Sequence, residues 1–332
     1  MGTNHPRGKK FIFGLDIGGT KCTVVLGDTR MRIYDRLSFP TQSHRGWKPI
    51  LKQLFGAIDE ITARNRLKAA SIRKAGVSCG GPLDSRRGLI LSPPNLPGWK
   101  RVPIVRLLQR KLKCPVRLEN DANACAVAEW KFGAGRGFHN IVFLTFGTGM
   151  GAGLILNGRL YRGANDMAGE AGHIRLAAKG PVGYGKKGSF EGFCSGGGIA
   201  RMAKKEAVRL LGRGEGSGFW GSLKGVRTIT AKDVCEAANR GDKAARRILQ
   251  ISGWYLGMGL SILLDILNPE RIIIGGIYSR NGGFFSPEAL KVIRREALAR
   301  SRSVCRIVPS GLGEKIDDIA SLSVALMDDL KA

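Results

Sequence analysis

One pattern occurs twice in this chain, about 130 residues apart, and it limits the possible folds more than any other feature. Residues 11–27, FIFGLDIGGTKCTVVLG, and residues 141–158, IVFLTFGTGMGAGLILNG, each read as strand, glycine-rich turn, strand. A third short strand follows each, RIYDRLSFP near 32–40 and RLYRGA near 159–164. We read this as a duplicated β-β-β unit, one per domain, with helices after it. A chain of 332 residues has the length for two such domains.

Helical segments fill the intervals. Residues 46–65 place apolar side chains three and four apart, and 104–113 and 121–131 follow as helices. Thr230 with Asp233 forms an N-cap pair opening a helix at 231–239. A long helix over about 242–267 is stopped by Asn268-Pro269. A strand, ERIIIGG, then ends in Gly275-Gly276. A helix at 286–300, a strand at 304–308 and a helix at 316–330 complete the pattern. Strands alternating with helices define an α/β fold, and such folds bind ligands at strand ends.

Lys and Arg total 54 against 26 Asp and Glu, a net charge of +28. Such an excess suits an anionic partner, but the basic residues are scattered rather than gathered in a run, which equally describes a solvated surface. Without an element to read bases, nucleic-acid binding would be salt-sensitive and non-specific, so no specific nucleic-acid partner is expected. The seven cysteines contain no CxxC pair, which points to reduced thiols and a cytoplasmic setting. No uncharged apolar stretch reaches about 18 residues and no h-region follows the N-terminus, so neither a membrane span nor a signal peptide is expected. The 212–229 segment, rich in glycine, reads as an exposed loop.

The chemistry concentrates at the turns. In Asp16-Ile17-Gly18-Gly19-Thr20-Lys21, adjacent glycines let backbone N–H groups approach phosphate oxygens, and a carboxylate at the strand end can hold hydrated Mg²⁺. Gly147-Thr148-Gly149-Met150-Gly151 offers the same turn without the acid. Neither is a Walker A loop, and neither opens a helix as a dinucleotide fingerprint would. Asp121 follows the short strand VRLE at the start of a helix. That position suits a capping carboxylate as well as one that accepts a proton from an attacking hydroxyl.

Taken in order, DIGGTK (16–21), GGPLD (80–84), PNLPGW (94–99), ENDANACAVAEW (119–130), FGTGMGAG (146–153), GEAGH (169–173) and IIIGG (272–276) resemble the ROK family of bacterial sugar kinases and repressors. The resemblance runs from residue 11 to about 326. It implies a two-domain actin-like ATPase (ribonuclease H-like) fold with an interdomain cleft, the smaller domain being 1–120 plus 315–332 and the larger 121–314. It implies an ATP- and Mg²⁺-dependent hexose kinase acting on a sugar 6-hydroxyl, glucose first, with Asp121 as general base. Asn95, Asn120, Asp121, Glu170, His173 and Glu191 would surround the sugar. Asp16, Gly18, Gly19, Thr20, Lys21, Gly147, Thr148 and Gly149 would hold the phosphates, with Mg²⁺ reached through water at Asp16. Gly275 and Gly276 would lie beside the adenosine. A homodimer is implied as well.

The resemblance leaves alternatives: inorganic polyphosphate as donor, an N-acetylhexosamine or fructose as acceptor, or a non-catalytic sugar-binding regulator. A repressor would carry a helix-turn-helix domain before the first motif, where only about ten residues stand. The chain also departs from the family at one place. Many members carry three cysteines that join the GH histidine in binding structural zinc. Here those positions hold Val182, Tyr184 and Ser189, so no zinc is expected.

Overall fold

The structure is a computed structural model and describes residues 10–215 and 223–329. By density of internal contacts the chain divides into two units. The first contains residues up to Gly137, with Gly153–Ala168 and the segment from Glu314; the second contains Phe138–Ala152 and Gly169–Gly313.

In the first unit, β1 (Phe11–Ile17), β2 (Lys21–Gly27) and β3 (Ile33–Pro40) form an antiparallel meander. Helix α1 (Trp47–Arg64) leads to β4 (Ile72–Cys79), which pairs in parallel with β1. A short hairpin, β5 (Leu83–Asp84) and β6 (Leu89–Ile90), precedes α2 (Ile104–Leu112), β7 (Val116–Asn120) and α3 (Asp121–Phe132). The sheet order is β3-β2-β1-β4-β7.

The second repeat follows. Strands β8 (Ile141–Leu144), β9 (Ala152–Leu156) and β10 (Arg159–Tyr161) come first, and the division between units falls within β9, after Ala152. A hairpin, β11 (Val182–Gly183) and β12 (Lys186–Lys187), leads to α4 (Phe190–Phe193) and α5 (Gly196–Leu211). Helices α6 (Leu223–Val226), α7 (Ala231–Asn239) and α8 (Lys243–Leu267) precede β13 (Arg271–Ile274). The chain continues through α9 (Ile277–Glu296), α10 (Ala299–Val304), β14 (Arg306–Pro309) and α11 (Ile316–Ala325). The second sheet order is β10-β9-β8-β13-β14, the same sequence of strand roles as the first. The duplication read from the two glycine turns is therefore one of topology: a fold of the two-domain actin-like ATPase kind.

Alternation along β1 decides what each face carries. Phe11, Phe13, Leu15 and Ile17 enter a core with Ile50, Leu54, Ile58 and Ile61 of α1. Ile12 turns the other way and packs with Leu322, Ala325 and Leu326. Helix α11 lies so close to this face that a Cβ on Gly76 would run into Ser321 O and Ala325 N, and one on Gly14 would come within 2.9 Å of Leu322 N.

In the second unit, α8 packs against α9 and α7. Its glycines allow the approach, since a Cβ on Gly253 would lie 2.6 Å from Phe285 O and one on Gly257 2.7 Å from Ala289 O. By length and composition α8 could cross a membrane, but 61% of its apolar window is buried in the protein, as a core helix requires.

Several boundaries differ from the sequence reading. The helix expected from 286 begins at Ile277, capped by Gly276 at φ 63°, and turns through a non-helical Asn281. The kink falls at the start of the Asn281-Gly282-Gly283 run. The expected 286–300 helix also ends at Glu296, and α10 follows after a break at Ala297, which is extended. Helix α11 ends at Ala325 rather than 330. The proposed 212–229 loop contains α6, and its residues 216–222 lie outside the described residues.

Gly76→Ala is expected to destabilise the protein by about 1–3 kcal/mol, because backbone atoms of α11 cannot yield as a side chain could. Urea unfolding checks this, and a change under about 0.5 kcal/mol would show that α11 is free to shift.

Candidate active site

The first unit brings one group of the nominated residues together. Strand β1 ends at Ile17, and Gly18 N–H closes the turn by donating to Lys21 O at 3.1 Å. Gly19 packs against the loop carrying Asn95, whose carbonyl oxygen would lie 2.9 Å from a Cβ there. The Gly19 and Thr20 N–H groups have no protein acceptor among the described residues and can take phosphate oxygens. Buried Thr41 braces this turn: its Oγ1 donates to Gly18 O at 2.6 Å and its N–H donates to Thr20 O at 2.9 Å. Sequence reasoning missed Thr41, which stands just after β3 with no motif around it.

Asp16 leaves β1 on the α11 face. Its carboxyl is pushed up to about 8 by the surrounding protein and by the negative charges of Asp317 and Asp121, against the opposing effects of a Ser78 hydrogen bond and the Lys21 charge. Asp317, in the first turn of α11, is also raised, by burial first. It is a third carboxylate that the sequence reading did not include. Among the described residues no three His, Cys, Asp or Glu side chains could hold a metal together. This donor set suits Mg²⁺ kept largely hydrated and bound through one carboxylate and substrate phosphates.

Asn120 and Asp121 stand at the junction of β7 and α3. The Asn120 side chain caps the helix, accepting from Ala122 N at 2.9 Å. It is Asn120, not Asp121, that caps α3, which leaves Asp121 on the first turn with one carboxylate oxygen accepting from Ala122 N at 2.8 Å. The other oxygen would lie 3.8 Å from a Cβ on Gly80, so the GGP segment borders it. Asp121 keeps solvent-accessible surface, and its carboxyl is raised by the surrounding protein and then by Asp317.

Glu119, fully buried, fixes this junction. Its carboxylate accepts from Asn120 N at 3.0 Å and from Asn123 Nδ2 at 3.0 Å, and pairs with Arg162 Nε at 2.7 Å. Arg162 and Glu119 also line a cavity of about 1080 Å³ within the first unit, which none of the nominated site residues touches.

The second unit gathers another group. At the Gly147–Gly151 turn, Gly147 N donates to Gly149 O at 3.1 Å and Met150 N donates to Glu191 Oε2 at 3.0 Å. The Thr148 and Gly149 N–H groups have no protein acceptor among the described residues. Glu191, in the first turn of α4, thus contacts the glycine turn, and its Cβ would lie 3.3 Å from one on Gly172. Glu170 caps a single 3₁₀ turn, Ala171–His173, and His173 N donates to Glu170 O at 3.0 Å. The helical turn expected to carry both Glu170 and His173 is a 3₁₀ turn that begins one residue later, with Glu170 at its cap, φ -71° and ψ 44°. Gly275 N donates to Leu144 O and Ile277 N to Phe146 O, so Gly275 and Gly276 border the same strand end as the turn.

Two glycine turns on a duplicated sheet topology mark the actin-like ATPase fold. The chain belongs to the ROK family, which matches residues 12–317. It is 34% identical over 281 residues to a glucokinase of Halalkalibacterium halodurans, covering 82% of each chain. It is 27% identical over 324 residues to a xylose repressor of Caldicellulosiruptor bescii, covering 96% of this chain and 79% of the repressor. Among solved structures it resembles a ROK family glucokinase from Streptomyces griseus in complex with glucose and AMPPNP, with TM-score 0.77, 30% identity, and 96% and 99% of the two chains covered.

Arg162→Met should lower unfolding stability by about 2–4 kcal/mol, because Glu119 is left buried without a countercharge. Adding Glu119→Gln should recover part of that loss. Chemical denaturation of the three variants tests this, and a double variant no better than Arg162→Met would show that the charge is not the cause.

Proposed function

We propose that this ROK protein, a sugar kinase, transfers the terminal phosphoryl group of ATP to the 6-hydroxyl of a hexose, glucose first, with Asp121 as general base. The observation that carries this reading is Asp121 itself. It stands at the end of a sheet strand, released from capping by Asn120, and forms no ion pair among the described residues despite the excess of Lys and Arg. The similarity to glucokinases supports the acceptor and the donor.

In this reading Asp121 accepts the hydroxyl proton as the oxygen attacks phosphorus, and Asn120 holds the strand end in register. Asn95, Glu170, His173 and Glu191 orient ring hydroxyls as donors and acceptors. Backbone N–H groups of Gly19, Thr20, Thr148 and Gly149 hold phosphate oxygens, with Lys21 nearby as countercharge. Gly275 and Gly276 admit the adenosine. Mg²⁺, held at Asp16 through water, would neutralise charge on the transferred group. A homodimer in the cytoplasm completes this reading, and sedimentation of the purified protein tests the dimer.

Turnover measured across hexoses and N-acetylhexosamines, each with Mg²⁺-ATP and with polyphosphate, tests substrate and donor together. Asp121→Asn should lower kcat by about 10²–10⁴-fold with the sugar KM little changed. A base must be ionised, so the raised pKa of Asp121 places the acidic fall of kcat/KM above the usual aspartate range, and the rate drops as pH is lowered through it. Full activity in Asp121→Asn would overturn the assignment.

A further inference from the structure

The segment in which ROK relatives carry zinc cysteines is built differently here. Val182, Tyr184 and Ser189 offer no thiolate. Nearby Cys194 is buried and donates its thiol to Ser252 O at 3.3 Å, and burial raises its pKa. The donor set does not fit zinc.

Each replaced position has taken other work. Val182 opens β11 and pairs with Lys187. Ser189 is fully buried; its Oγ accepts from Gly192 N at 3.1 Å and donates to Gly183 O at 3.3 Å, which caps α4 and ties the hairpin to it. Tyr184 occupies the first position of the two-residue turn, with φ 44° there and 75° at Gly185, as a type I′ turn requires. A bulky residue is costly in that conformation, and asparagine or glycine would normally stand there. What the tyrosine contributes is its ring. It meets the His173 imidazole edge-to-face, with centroids 5.9 Å apart and planes at 72°. From the same hairpin Lys186 Nζ donates to His173 O at 2.8 Å. Arg175 Nη1 donates to Lys187 O at 2.9 Å, and Phe190 N donates to Ile174 O at 2.8 Å. The hairpin therefore holds the backbone of His173 and sets the Tyr184 ring beside its exposed imidazole.

We propose that Tyr184 is a positioning residue for substrate binding: its ring fixes the orientation of the His173 imidazole, doing without metal what a zinc ligand set would do. This rests on the reading of His173 as a sugar contact. An imidazole free to turn about its χ2 would present either edge to a ring hydroxyl, whereas one packed edge-to-face with a neighbouring ring presents a single nitrogen.

The test is steady-state kinetics of the full chain on its best sugar, with proton NMR of the histidine rings. The His173 signals are assigned by their loss in His173→Ala. Tyr184→Leu should raise the sugar KM roughly tenfold while the ATP KM stays unchanged, and Tyr184→Phe should retain wild-type kinetics. In the His173→Ala background Tyr184→Leu should add nothing. The His173 ring protons should shift in Tyr184→Leu and stay in place in Tyr184→Phe, while the other histidine signals stay unmoved in both, which excludes unfolding as the cause. A zinc-selective chelator should leave the sugar KM unchanged. Additive losses in the double variant, an unmoved His173 signal, or a chelator-sensitive KM would each overturn the proposal. If His173→Ala keeps the sugar KM while the ring shift behaves as expected, the packing stands and the sugar-contact reading fails instead.

Discussion

The close approach of helix α11 to the first sheet is the constraint on which the arrangement of Asp16, Asp121 and Asp317 depends. Positions 14 and 76 carry no side chain because helix backbone and side-chain atoms occupy the space a Cβ would need. Helix α11 also packs against α3, so one contact sets the depth of both. That depth places Asp317 within electrostatic reach of Asp16 and Asp121. The raised carboxyls are thus a consequence of how near a helix can come to a strand.

The excess of basic residues is the second physical theme. Several acidic side chains are paired: Asp318 with Arg36, Asp329 with Lys74, Asp59 with Lys111, Asp328 with Arg117 and Glu119 with Arg162. Asp16, Asp121 and Asp317 form no such pair among the described residues, though the chain carries 54 Lys and Arg. A bidentate arginine on any of them would lower its pKa and block its oxygens. Leaving carboxylates unpaired and partly desolvated costs stability, and functional sites are where such costs are retained. Lys21 acts on Asp16 and Asp317 from a distance and lowers both without blocking their oxygens.

Local signals were legible in the sequence. The Thr230–Asp233 capping box, the stop at Asn268-Pro269 and both glycine turns appear where residue chemistry alone placed them. Those features are decided within four or five residues, so no tertiary context was needed. Asp317 was not legible, because its role comes from a helix about 300 residues away in sequence from Asp16. Thr41 was hidden for the same reason, its hydroxyl acting on a turn 23 residues earlier. The helix expected from 286 starts nine residues earlier, because packing against α8 carries it through the kink at Asn281.

The loop from Gly169 to Ser195 is fastened by main-chain hydrogen bonds in the segment where the family resemblance implies a metal site. A zinc ion cross-links distant backbone points through four strong bonds. Here hydrogen bonds from Leu176 and Ala177 to Gly188, from Gly188 to Pro181 and from Phe190 to Ile174 fasten the same span. Glycines make this possible: a Cβ on Gly188 would run into Ala177 O, and one on Gly183 would lie 2.7 Å from Ser189 Oγ. Each such bond contributes only about 1 kcal/mol net, so several must act together to replace a metal. Their collective geometry, unlike zinc, does not depend on pH or metal supply. This arrangement leaves Glu191 on the glycine turn and His173 under the hairpin, so the residues nominated for sugar binding are held by main-chain bonding rather than coordination.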